Sequence, residues 1–220
     1  MRTISLATGE FYHIFNRGVA RAPIFLHEKD YLQAHDSLFF YNHLNTHMKF
    51  SRFKDLSCDA KNEFNKRVSE SDKFVDIVSY VLMPNHFHLL LQQKLDNGIS
   101  IFLRKFSDSY SRYFNTKYER VGPLFQGAFK SRHIESENQL LHVSRYIHLN
   151  PLTSFVANEK NFLSYKWSSL NEYLMGKSDL ICFKPITFHF NSQEKYLKFI
   201  LDQKDYQRRL KQIEHLIIEK

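Results

Sequence analysis

Two cysteines, Cys58 and Cys182, are all that the sequence offers, and no CxxC pair occurs. That excludes a disulfide scaffold and a cysteine-based zinc module, and it suits a reducing compartment. No apolar run approaches the ~20 residues that a membrane span needs, so no membrane partner is expected. The opening MRTISLATGEFYHIF lacks a basic stretch followed by an apolar one, which makes the cytoplasm the expected location. Glycine (6) and proline (5) are scarce, against a fibrous or disordered chain. There is no repeat, no low-complexity tract and no GxxxxGK[ST] loop of a P-loop nucleotide site.

What is present is basic and aromatic. Thirty-one Lys and Arg face 23 Asp and Glu, giving +8, and 15% of the 220 residues are Phe, Trp or Tyr. Cations meet phosphates and flat rings stack on bases, so nucleic acid is one partner class that this balance suits. The competing reading is a modest excess that only keeps the protein soluble. The length fits one domain, or one with an appendage, and a chain of this size buries about 70% of its unfolded surface without staples.

Hydrophobic periodicity predicts a strand at 11–16, a helix over 28–48 and a charged helical piece around 59–70. A strand at 74–83 turns at Pro84-Asn85 into a second at 86–93. A long basic, aromatic helix follows at 98–118, then a loop leading into a strand within 121–136. Ser136, with Gln139 three positions on, predicts a helix start near 137, and Pro151 predicts its end at Asn150. This order predicts an α+β domain with a mostly antiparallel sheet and helices on one face. The division expected is a catalytic domain at 1–152 and an accessory C-terminal helical extension at 153–220, with helices within 160–174 and 193–218.

Three constellations carry chemistry. His86 and His88, at i and i+2 of a strand, share a face about 7 Å apart, so both imidazoles can converge on one metal ion or simply face solvent. Tyr146 and Asn150, at i and i+4 of a helix, also share a face. The phenol is a candidate nucleophile and the amide oxygen a candidate ligand for Mg2+ or Mn2+. Core packing and a helix end account for the same pair, and Tyr110, Tyr113 and Tyr118 are rival phenols. Third comes a set of cations among rings: Arg17, Lys105, Arg112, Lys130 and Arg132, with Gln126 sharing a predicted strand face with Lys130. These are candidate DNA contacts or a solvated face.

Four segments together resemble the HUH single-tyrosine transposases, in particular the REP-associated tyrosine transposase branch: YHIFNRG (12–18), LMPNHFHLLL (82–91), SYSRYFNTKYERVGPLFQGAFKSR (109–132) and RYIHLNP (145–151). The resemblance implies a ferredoxin-like or RRM-like fold that cleaves and rejoins single-stranded DNA at hairpin-associated sites through a 5′-phosphotyrosine. It carries the metal-ligand role to His86 and His88, the nucleophile role to Tyr146 and the third-ligand role to Asn150, with Mg2+ or Mn2+ as the ion. A homodimer sharing its tyrosine helices is one arrangement that relatives adopt. The competing classes are a binding module for single-stranded DNA or RNA hairpins that does not cut, and a metal phosphodiesterase using water.

Overall fold

The computed structural model describes residues 6–44 and 46–204. The elements run β1 (Phe11–Arg17), α1 (Glu28–Asn42), α2 (Phe50–Lys54), α3 (Cys58–Ser69), β2 (Val75–Met83), β3 (His86–Gln93), α4 (Gly98–Lys117), β4 (Lys130–Ile134), α5 (Glu137–Thr153), α6 (Leu170–Met175), α7 (Lys184–Thr187) and α8 (Gln193–Leu201). Among the described residues no helix is long and apolar enough to cross a membrane.

The four strands form one sheet in the order β2-β3-β1-β4, and every neighbouring pair is antiparallel. With α1 between β1 and β2 and α4 between β3 and β4, this is the ferredoxin-like arrangement. Strand alternation gives the sheet two distinct faces. Phe87 pairs with Leu82 and Asn16 on one face, where it meets Phe106 of α4 edge-on at 5.6 Å. Phe102, Phe106, Tyr110 and Phe114 of α4 are buried there, and each fully buried ring of this size contributes roughly 1.5–3 kcal/mol. Helices α1 and α4 pack side by side on this face.

The other face carries His88, paired with Phe15 and Val81, and His86, paired with Arg17 and Met83. Helix α5 lies over part of it: Ser144 Oγ meets Ser79 Oγ of β2 at 2.9 Å, and Tyr146 meets His88 ring to ring. The two crossover helices α1 and α4 share one face as expected, and α5 adds a layer over part of the other. Periodicity reveals that a helix has an apolar stripe but not which of two sheet faces receives it.

Three boundaries also differ. Helix α1 ends at Asn42 rather than 48, where His43 turns extended to bridge Lys73. Pro151 sits inside α5, which continues to Thr153; a proline in the last turn removes only one donor, and its own carbonyl accepts from Val156 and Ala157 N–H. The strand expected to include Gln126 begins only at Lys130, and Gln126 stands in the preceding loop.

Beyond α5 the chain packs back on the sheet. The stretch 167–182 runs along the outer edge of β2: Leu82 N–H donates to Trp167 O (2.8 Å), Ser169 N–H to Tyr80 O (3.0 Å) and Cys182 N–H to Ile77 O (2.8 Å). Backbone groups of an edge strand are thereby covered. The helix expected within 160–174 is a 3-10 turn at Phe162–Ser164 followed by the short α6. Of the helix expected over 193–218, α8 forms 193–201, and residues 205–220 lie outside the described ones. A buried polar chain links α8, α5 and β2: Tyr196 OH lies 2.7 Å from Ser144 Oγ and 2.8 Å from His148 Nδ1, and His148 Nε2 lies 2.7 Å from Ser169 Oγ. Burial lowers the His148 pKa to about 3, so a neutral ring bridges the two hydroxyls. The tyrosine-bearing helix is thus fastened from beneath by directional bonds as well as by packing.

Candidate active site

The site begins with two tight turns. Gly18 ends β1, where a Cβ would stand 2.2 Å from Ala22 O, so only glycine lets the chain fold back there. Its N–H donates to Asn85 O of the β2–β3 turn (2.9 Å), and Pro84 O accepts from Ile24 and Phe25 N–H. These bonds bring Arg17 and Arg21 beside the start of β3. Ala20 and Arg21 hold φ of 51° and 59°, left-handed values for non-glycine residues that cost energy and gather at functional sites.

On β3, His86 and His88 share a face, with ring centroids 5.0 Å apart at 90°. The Asn85 side chain bridges two partners: its Nδ2 donates to Arg21 O (3.1 Å), and its Oδ1 accepts from His86 Nδ1 (2.6 Å). That bond places the His86 proton on Nδ1 and makes Nε2 the electron-pair donor. His88 Nδ1 lies 2.9 Å from His13 Nε2 of β1, the two rings stacked at 5.1 Å and 24°. His13 is buried; burial first, then the Arg132 charge, lowers its pKa to about 4. At neutral pH it is therefore an uncharged partner for His88.

Tyr146 arrives from α5 and stands edge-on to both rings, 5.4 Å from His88 and 5.9 Å from His13 between centroids. The phenol and the paired imidazoles thus meet within one chain. Tyr146, His13, His86, His88, Arg17 and Arg132 line a cleft of about 820 Å3. A smaller concavity of about 190 Å3 adjoins it, lined by Gln126, Lys130 and Ala128, and shares Phe15, Arg17 and both β3 histidines with it.

Of the residues singled out in the sequence, His86, His88, Tyr146, Arg17, Gln126, Lys130 and Arg132 come together here. Asn150 does not line the cleft. It is fully buried, and its Oδ1 accepts from Ser154 Oγ at 3.1 Å. Lys105 and Arg112 lie on α4, across the sheet, in a separate groove with Lys49 and Lys54. The Lys105 ammonium rests over the Phe74 ring at 4.7 Å, and burial, then Arg104, lowers its pKa. The rival phenols are engaged elsewhere: Tyr110 OH donates to Ile24 O, and Tyr113 and Tyr118 donate to Asp30. His13 was not singled out from the sequence; Asn85 was read there only as a turn residue, and Arg21 only as one of the cations among rings. The period-two spacing of His13, Phe15 and Arg17 was the available signal for the first.

The donor set tests the implied metal. Two imidazoles on one strand, each with Nδ1 held by a neighbour, have the supporting shell that metal-binding histidines show. Among the described residues no group of three or more His, Cys, Asp or Glu gathers around a metal position. The described side chains thus offer such an ion the two imidazoles of β3.

A family model described as "Transposase IS200 like" matches residues 46–150, the stretch holding His86, His88 and Tyr146. Over that stretch the chain is similar to the IS200-like transposases. The fold is shared with a solved REP-associated tyrosine transposase bound to a REP hairpin, at a TM-score of 0.55 and 14% identity over 83% of this chain and 90% of that one. No curated protein matches the chain in sequence. The transposase match begins after β1; His13 and Arg17 reach the site because β1 pairs with its neighbours in the sheet.

Proposed function

We propose that this protein is a metal-dependent DNA strand transferase that cleaves and rejoins single-stranded DNA next to hairpins through a 5′-phosphotyrosine. The observation that carries the reading is Tyr146 edge-on to His88 in a cleft flanked by Arg17 and Arg132. The transposase match and the hairpin held by the structural neighbour support the substrate class.

His86 and His88 would be the protein donors for Mg2+ or Mn2+; Asn150, whose side-chain oxygen accepts from Ser154, does not line the cleft. When bound, the ion polarises the phosphoryl oxygen and offsets its growing charge. Arg17 and Arg132 draw the phosphodiester into the cleft and hold it before the phenol, which converts a bimolecular attack into a positioned one. The Tyr146 oxygen bonds to phosphorus as the phenol releases its proton. The P–O3′ bond breaks, and the 3′-oxygen takes up a proton. One phosphoester replaces another of similar energy, so the step is reversible and needs no nucleotide hydrolysis.

Labelled hairpin DNA with a single-stranded flank, incubated with Mn2+ and run on a denaturing gel, tests this. The wild type yields a covalent adduct, and Tyr146→Phe yields none while its DNA affinity stays within about tenfold, since one hydrogen bond contributes about 0.5–1.5 kcal/mol. An undiminished adduct with Tyr146→Phe removes Tyr146 as the nucleophile. Retention of the hairpin with no wild-type adduct leaves a binding module, and cleavage with free 5′-phosphate leaves a phosphodiesterase that uses water.

A further inference from the structure

The two histidines of β3 stand on a divide. Tyr146 lines only the larger cleft, whereas Gln126, Ala128 and Lys130 line only the smaller concavity; Phe15, Arg17, His86 and His88 line both. A phosphoryl transfer places the attacking and leaving oxygens in line, on opposite sides of phosphorus. With the phosphate at the histidine pair and the phenol on one side, the leaving 3′-oxygen departs toward the other. We propose that the smaller concavity is the subsite for the leaving nucleotide, taking one unpaired nucleobase with its 3′-oxygen beside Lys130. This deepens the transferase reading and rests on it.

The walls suit that occupant. At about 190 Å3 the space falls below the ~300 Å3 at which pockets for drug-sized ligands begin, so it suits one flat ring system. Phe15 is half-buried beside His88, with centroids 5.7 Å apart, and offers a ring for a base to stack on. The Gln126 amide carries both donors and an acceptor, the equipment for a base edge. Lys130 lies opposite Phe15 in the β1–β4 ladder, where its ammonium offsets charge growing on the 3′-oxygen as the P–O3′ bond breaks.

The walls are also set before any strand arrives. Gln126 N–H donates to Arg17 O (2.8 Å), Asn16 Nδ2 donates to Gly127 O (3.0 Å), and Gly18 bridges Phe125. A fixed subsite has a chemical purpose. Rejoining is attack by the freed 3′-hydroxyl on the phosphotyrosine, and a 3′ end that stays beside the phosphorus reacts far faster than one that must return from solution.

The test uses Tyr146→Phe protein in Mg2+ and an oligothymidylate whose 3′-terminal nucleotide is 2-aminopurine, a base whose fluorescence falls on stacking. The expected result is a severalfold quench at saturation, greater than for the same strand labelled at its 5′ end. Ala128→Trp, which fills the concavity, and Phe15→Leu, which removes the ring, both abolish the difference between the two ends. Matching circular dichroism melts confirm that each variant folds. A quench that is absent, equal at the two ends or untouched in both folded variants overturns the subsite. Adduct formation by the wild type is the separate arm. An adduct without the 3′-specific quench sinks the subsite alone, and the quench without any adduct sinks the transferase reading while retaining a 3′-end binding site.

Discussion

Asp30→Asn is the sharpest perturbation of the scaffold. The Asp30 carboxylate is 0% exposed and accepts five hydrogen bonds. Oδ1 takes Tyr113 OH (2.9 Å) and Lys117 Nζ (2.6 Å); Oδ2 takes Leu26 N–H (3.0 Å), His27 N–H (2.9 Å) and Tyr118 OH (2.7 Å). The group ties the start of α1 to the end of α4. Burial by itself raises its pKa, but the bonds from Lys117, Tyr118 and the two N–H groups outweigh burial and bring it from 3.8 down to about 2. An asparagine turns an NH2 toward donors on one side or the other. Removing one partner of a buried pair costs roughly 3–5 kcal/mol, and the partial exposure of Lys117 places this case near 3.

The pH dependence has a definite sign. A carboxyl depressed in the folded state adds stability above its unfolded pKa, and that stability fades as pH falls from about 4 to about 2. The pH-dependent part amounts to about 2 kcal/mol. Trp167, the single tryptophan, stacks on Tyr31 at 4.9 Å and gives urea unfolding a local fluorescence probe. The stability gap between wild type and Asp30→Asn is expected to narrow by about 2 kcal/mol between pH 7 and pH 2. Taking the gap, rather than either curve, cancels the other carboxylates. A gap that stays constant over that range refutes the assignment of Asp30 as a charged, donor-saturated anchor.

Further outcomes follow from the same geometry. His86→Ala and His88→Ala are each expected to abolish Mn2+ binding measured by electron paramagnetic resonance, whereas Asn150→Ala retains it; equal losses in all three would make Asn150 a ligand in the resting protein. Tyr196→Phe removes one buried partner from each of Ser144 and His148 and is expected to cost about 1–3 kcal/mol in urea unfolding, while a neutral result would show the buried chain to be energetically idle. Arg132→Ala is expected to slow adduct formation on a short strand without a hairpin, and Arg112→Ala to leave that rate unchanged, because the two cations face opposite sides of the sheet. A rate lowered by Arg112→Ala alone would invert the placement of the substrate.

Much of the site was legible because strands encode it locally. A period of two put His86 and His88 on one face, and the motif set pointed to Tyr146 three elements later. The same logic failed where spacing is not contact. Tyr146 and Asn150 share a helical face, yet only the tyrosine reaches the cleft; one turn on, α5 has passed over the sheet and Asn150 turns to Ser154. Lys105 and Arg112 lie on α4, on the other side of the sheet from the cleft. His13, buried and silent in the composition, became part of the site through antiparallel pairing of β1 with β3.

By itself, then, the chain's residue order determined the elements, their alternation and the chemical types at the site, since periodicity and turn chemistry act over a few neighbours. Only the tertiary structure decided which sheet face received α5, which histidine backs His88, and that a single chain brings phenol and imidazoles together. Those outcomes depend on strand register and on how helices compete for two faces, and both are settled by contacts between residues far apart in sequence.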